Sequence, residues 1–206
     1  MSSNDHSAVH VHRDDVGARM GMWLFLFTEL LLFGGMFIIY SVYRYNNPDA
    51  FHLAAKELNT IIGTFNTAIL LTSSLTMALS ITAIQRNNKS LSIFFQLLTV
   101  VLALGFMVNK YFEWTAKFNH GIYPGGEQLL SRESGEILFF GLYYVMTGLH
   151  GLHVIIGVVL ILVMTRFTAK GIIRQDSYVK LESAGLYWHL VDIIWIFLFP
   201  LFYLIT

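Results

Sequence analysis

The stretch "GLYWHLVDIIWIFLF" (185–199) sets His189 and Asp192 three positions apart among Trp, Tyr, Phe and Ile, and "TGLHGLHVIIG" (147–157) does the same with His150 and His153. Glu29 stands alone in "WLFLFTELLLFGG" (23–35), and Glu113 and Glu182 lie close to the ends of apolar runs. On a helix, positions i and i+3 are surface neighbours, so each of these pairs would share one face. Three kinds of chemistry are open to such residues. Imidazoles with a carboxylate can ligate a metal or a haem. A carboxyl in apolar surroundings has its charged form disfavoured and can carry a proton. Alternatively, the side chains hydrogen-bond one helix to another, at ~0.6 kcal/mol per contact.

The i, i+3 spacing argues against a pair of stacked haems, which calls for histidines a dozen or more residues apart on one helix. The chain has no cysteine, which excludes disulfides, thiolate metal sites, iron–sulfur ligation and C-x-x-C-H haem attachment. Neither metal nor cofactor is therefore expected in this chain. Hydrogen-bonded packing is the simplest reading of the histidines and of Asp192, with Trp188 and Trp195 filling space beside them. Glu29 is expected to be buried and largely protonated among Trp23, Phe25, Leu26 and Phe33, donating to a neutral histidine such as His153. Proton handling stays open for it.

The elements that must position these residues follow from hydropathy. Of 206 residues 55% are apolar and 13% charged, with no net formal charge, and the mean hydropathy is +0.60. Apolar runs at 20–43, 60–84, 91–112, 136–165 and 183–205 each match the roughly 20 residues that cross ~30 Å of hydrocarbon. They are too long, and apolar on too many sides, for the ten-residue alternating strands of a membrane barrel. An all-α integral membrane bundle of five transmembrane helices (residues 20–206) is predicted, preceded by a polar tail (1–19). The tail lacks a signal-peptide pattern, and its His6, His10 and His12 read as solvated residues.

Orientation follows from the loops. The tail, the 85–90 turn and the 166–182 loop carry eight Lys and Arg, against five on the other side, which predicts a cytoplasmic N-terminus. The turn "QRNNKS" predicts a tight hairpin between the second and third spans, and "NHGIYPGGEQLLSRESGE" an irregular outside loop. Counted from the cytoplasmic ends, Glu29 lies roughly 14 Å deep, His153 roughly 18 Å and His189 roughly 9 Å. A cluster across helices is within reach. A charge at the bilayer centre costs ~3 kcal/mol, so these side chains should face the bundle and find one another.

Five segments also carry a resemblance. "MTGLHGLHVIIG" (146–157) and "LYWHLVDIIWIFLF" (186–199) resemble the signature segments of subunit III of the haem–copper oxidases, the cytochrome c oxidase subunit 3 family. "MWLFLFTELLLFGGMF" (22–37), "FNTAILLTSSLTMA" (65–78) and "KYFEW" (110–114) match further family segments in the same order. The likeness runs from residue 20 onward.

The resemblance implies a non-catalytic subunit without haem or copper of its own. It would pack against the catalytic subunit I and other oxidase subunits, which hold the haem and copper, in a bacterial inner membrane. It would support the stability, lipid environment and proton uptake of subunit I, with bound phospholipid and no nucleic acid. The family's long form has seven helices; the five here correspond to its last five, so lipid contacts made by the missing pair do not carry over. Glu29 falls on the family's intramembrane glutamate, His150 and His153 on its paired histidines, and Glu182, His189 and Asp192 on the polar set of its last helix. Arg166 lies within one position of an arginine associated with lipid headgroups. A glutamate at position 29 favours cytochrome c over quinol as electron donor. A quinol oxidase subunit is the alternative, and a stand-alone carrier a more distant one, since carriers show paired broken helices and Pro200 is the only proline in any span.

Overall fold

The computed structural model describes residues 15–205; His6, His10 and His12 of the tail lie outside them. Five helices are long and apolar enough to cross a membrane: α1 (Asp15–Asn46), α3 (Thr60–Gln85), α4 (Lys89–Asn119), α6 (Ser134–Ala169) and α7 (Val179–Tyr203). Two short helices, α2 (Pro48–Ala55) and α5 (Glu127–Leu130), occupy the connections at one end. The first helix starts at Asp15, so the last five residues assigned to the tail are helical.

Both lengths and breaks have local causes. Asn47 leaves the helical region before Pro48, which cannot donate to a preceding turn but suits the first position of a new helix, so α2 begins at once. Its apolar side, Ala50, Phe51, Ala54 and Ala55, is buried, and Phe51 meets Phe139 of α6 edge-on at 5.4 Å. At eight residues this amphipathic turn is too short to stand out in hydropathy between the first two apolar runs. Between α3 and α4, Asn87 takes a left-handed conformation and the Asn88 side chain caps α4 at Leu91 N, 3.2 Å away, which gives the tight antiparallel hairpin that "QRNNKS" predicts.

The most buried helix is α7, which packs against α1, α3 and α6, while α4 closes the bundle against α3 and α6. In the most apolar stretch of α7, 56% of residues are buried, against 11% in α1. The first helix buries only the stripe Leu26, Phe33 and Tyr40, at heptad spacing, and leaves most of its remaining surface outside the bundle. Close approach of α6 and α7 depends on Gly157, since a Cβ there would stand 2.7 Å from the Trp188 ring. Polar side chains then stitch α3 to α7: Trp188 Nε1 donates to Ser73 (3.1 Å), Trp195 Nε1 donates to Thr67 (3.0 Å), and Ser74 pairs with His189 Nδ1 (2.7 Å).

Candidate functional site: a shared-proton pair and a buried ionic clamp

Glu29 lies on the inward side of α1, and its Oε2 stands 2.9 Å from Nε2 of His153 on α6. The two side chains keep 15% and 10% of their surface exposed. The other ring nitrogen of His153, Nδ1, is 2.7 Å from the Leu149 carbonyl oxygen. A carbonyl only accepts, so Nδ1 carries a proton. With a neutral ring, Nε2 holds a lone pair and Glu29 must donate to it as a carboxylic acid; with a charged ring, Nε2 donates to a carboxylate. In both states one proton sits in the Nε2–Oε2 contact.

Phe33 packs edge-on against His153 at 5.4 Å, and the Tyr187 hydroxyl donates to the His153 backbone carbonyl at 3.1 Å. Of the four apolar residues expected around Glu29, Leu26 and Phe33 are buried with it, whereas Trp23 and Phe25 are 62% and 43% exposed, because a helix at the edge of the bundle turns most of its circumference outward; the Glu29 side chain itself is mostly buried.

A second polar centre joins α4, α6 and α7. Lys110 Nζ bonds Glu113 Oε2 at 3.1 Å, the Tyr143 hydroxyl at 3.0 Å and the Tyr203 hydroxyl at 2.9 Å. Both hydroxyls donate in turn to Glu113 Oε1, at 2.7 and 2.6 Å. All three protons of the ammonium are used, and the carboxylate accepts on both oxygens, so each buried charge is neutralised and hydrogen-bonded. Glu113, read from sequence as a span-end residue, is instead internal. The reason is length: α4 runs to Asn119, seven residues beyond the apolar run, and its polar last turns bury Lys110, Glu113 and Lys117 along one stripe. Sequence reasoning missed Lys110, Tyr143 and Tyr203 here, although Lys110 and Glu113 stand at i, i+3 within "KYFEW". Farther out, Arg132 pairs with Glu57 and Glu136. The hydrogen bond to Glu57 raises its guanidinium above its already high ordinary pKa.

The remaining predicted residues do not gather into one cluster. His150 and His153, about 60° apart around α6, meet different neighbours: His153 reaches Glu29 of α1, while His150 turns toward α4 and α7. His150 faces Phe106 and Trp195, at ring distances of 5.7 and 5.2 Å, and both its nitrogens are buried without a hydrogen-bond partner. Asp192 is equally buried, and neither of its oxygens has a hydrogen-bond partner of full geometry; the Ser74 hydroxyl that pairs with His189 is also its polar neighbour. Among the described residues His189 and Asp192, which share a face of α7, do not hydrogen-bond each other. Glu182 is bonded by Arg19 of α1 at 3.0 Å in an exposed ion pair, and Arg166 is exposed in the last turn of α6. Among the described residues no three of His, Asp or Glu converge as metal ligands would.

With this geometry in place, comparison with known proteins is informative about the chain as a whole. The family model described as "Cytochrome c oxidase subunit III" matches residues 2–206. The chain is 35% identical to "Cytochrome c oxidase subunit 3" of Synechocystis sp., over 95% of its own length and 79% of the relative's. It is 28% identical to "Probable quinol oxidase subunit 3" of Staphylococcus haemolyticus, over 91% and 88%. It is 31% identical to "Heme-copper oxidase subunit I+III" of Aeropyrum pernix, where it covers 91% of itself but only 22% of that much longer protein. The Glu29–His153 contact joins two of the five segments that carry the likeness, and the match extends beyond them to almost every residue: the chain belongs to the cytochrome c oxidase subunit III family.

Proposed function

We propose that the chain is the transmembrane subunit III of an aerobic haem–copper terminal oxidase in a bacterial inner membrane, and that it supports the catalytic subunit without performing the redox chemistry itself. The whole-chain family match carries this reading. A relative named as a fusion of subunits I and III supports subunit I as the partner, because covalent linkage keeps two chains adjacent. Haem and copper, supplied by the partner subunits, would perform electron transfer and oxygen reduction. This chain's own residues hold a proton between Glu29 and His153 and lock three helices through Lys110 and Glu113.

Those roles suit support of proton uptake and of the partner's stability. The Glu29–His153 contact lies about 21 Å along α1 from its first residue, within the depth of the hydrocarbon, where a group able to exist neutral costs far less than a fixed charge. A cytoplasmic N-terminus, with the basic loops on that side, is part of the proposal. Cytochrome c is the proposed electron donor. The quinol reading is kept because relatives named for quinol oxidase match over similar lengths.

Stripping the chain from the purified complex tests the proposal. Haem content of the remainder should be unchanged and initial oxygen consumption largely kept, with activity then lost during turnover. Loss of haem along with the chain, or unchanged activity for as long as the intact complex works, would overturn it.

A further inference from the structure

The half of α1 that precedes Gly34 is loosely seated. Of residues 15–32 only Leu26 is buried. The far end is tied to α7 by Arg19 and Glu182, a pair at 3.0 Å whose side chains are 51% and 35% exposed. Beneath this half lies a cavity of about 340 Å³, lined by Ala18, Met22 and Phe25 of α1, Met164 of α6, and Ala184 and Tyr187 of α7. The Phe25 and Tyr187 rings touch at 6.0 Å, and the Tyr187 hydroxyl bonds the His153 backbone carbonyl. Glu29 and His153 are not in the walls, so this ring pair stands between the cavity and their contact. The other half of α1 is anchored: Tyr40 meets Phe51 and Phe202 edge-on at 5.5 and 5.2 Å and donates to the Leu201 carbonyl. Between the halves, a Cβ added at Gly34 or at Gly35 would meet nothing within 4 Å. Packing within the chain therefore calls for glycine at neither position; what two adjacent glycines supply is a soft point in the helix.

We propose that Gly34 and Gly35 form a hinge about which the first half of α1 swings away from α6 and α7, that Arg19–Glu182 is its latch, and that the swing admits water to the Glu29–His153 pair. The lever lengths favour it. Arg19, Phe25 and Glu29 lie ~22, ~14 and ~7 Å along the helix from Gly34, so a tilt of ~10° moves them by ~4, ~2 and ~1 Å. Such a tilt breaks the latch and parts Phe25 from Tyr187, yet leaves Glu29 close to His153. The packing lost is small, since the swinging half buries Leu26 alone, and the latch is an exposed pair that salt screens. This inference rests on the reading of Glu29 and His153 as a proton-holding pair and names what controls access to it.

The chain has no cysteine, so a thiol introduced at Ala184, which lines the cavity and is 7% exposed, reports on the opening. The complex that contains the chain is purified in mild detergent, and the mass of this subunit follows its reaction with a maleimide. Arg19→Ala, or salt at ~0.5 M, should raise the rate about twofold to fivefold, the shift in population that an exposed ion pair can hold. Gly34→Ala with Gly35→Ala should lower it about twofold or more and remove the salt dependence. If Ala184→Cys fails to assemble, Ser183→Cys on the same wall takes its place. A water-soluble carbodiimide should modify Glu29 faster in Arg19→Ala by the same factor as the thiol. A labelling rate indifferent to salt and to Arg19→Ala, or unchanged by the two alanines, overturns the hinge, and an unchanged rate at Glu29 overturns the access. Unchanged labelling with loss of a partner chain from the alanine variant would make the glycines a seat for a neighbouring helix, which also overturns it. The thiol reports on the hinge whatever Glu29 does; normal turnover in Glu29→Gln would count against the proton reading instead.

Discussion

Replacing Glu113 with Leu removes the acceptor of three hydrogen bonds, at 3.1, 2.7 and 2.6 Å, and strands Lys110, whose side chain is 8% exposed. Breaking a buried pair from one side costs about 3–5 kcal/mol, mostly the cost of the uncompensated charge. Two tyrosine hydroxyls would remain on the ammonium, at 3.0 and 2.9 Å, so the lower end, ~3 kcal/mol, is expected. That is about a hundredfold in the folded-to-unfolded ratio. Lys110→Met in the same background removes the stranded charge, and the double variant should recover most of the loss, giving a coupling energy of ~2 kcal/mol. Tyr143→Phe, which deletes two bonds to charged groups, one accepted from Lys110 and one donated to Glu113, should cost ~2–3 kcal/mol. The assay is detergent-denaturant unfolding of the purified subunit followed by tryptophan fluorescence, since Trp195 lies 5.3 Å from Lys110 Nζ. Costs below ~1 kcal/mol for both single variants, or additive costs in the double variant, would refute the clamp.

Asp192→Leu should be neutral or stabilising in the same assay, because no hydrogen-bonded partner is left behind; a loss above ~1 kcal/mol would reveal one. Ser74→Ala should cost ~1 kcal/mol and abolish any further effect of His189→Leu, a coupling that double-mutant unfolding reads directly. Gly157→Ala should cost roughly 1–3 kcal/mol by forcing the Trp188 ring away; wild-type stability would contradict the close approach of α6 and α7. Glu29 should react with an apolar carbodiimide, and Glu29→Gln, which keeps a donor for His153 but cannot release a proton, should shorten turnover or lower its rate at high pH. An unlabelled Glu29 with normal activity in the variant would leave only packing for this residue. The raised pKa of Arg132 means its contribution is complete below the ordinary arginine value and lost only as pH rises through the still higher folded value. The cost of Arg132→Ala should therefore be the same at about pH 6 and about pH 9, and a marked difference in unfolding midpoint shifts would contradict it.

Hydropathy alone locates five spans, because each run of about twenty apolar residues has one compatible structure in hydrocarbon. It misplaces their ends wherever polar residues continue a helix inside the protein. Helix α4 is the clearest example: Lys110, Glu113 and Lys117 read as the polar edge of a span, yet each finds partners on α6, on α7 or in the α2–α3 connection. That information lies in tertiary packing and not in local pattern. Helix α2 escaped notice for a related reason, since Pro48 looks like a breaker unless one knows that a new helix starts on it. The Glu29–His153 pairing was readable from matching depth, as both residues fall near mid-span. The failure of His189 and Asp192 to meet was not, because i, i+3 spacing gives a shared face but not what that face opposes. There α3 presents Ser73 and Ser74, and the serine hydroxyl takes the histidine.

Affinity purification of the tagged chain from its native membrane in mild detergent tests the central claim most directly. The account predicts that a larger haem-bearing chain comes with it in fixed proportion, that the isolate shows a Soret band and consumes oxygen, and that the chain separated afterwards shows neither. Recovery of the chain alone, or with partners that carry no haem, would contradict its assignment as an oxidase subunit.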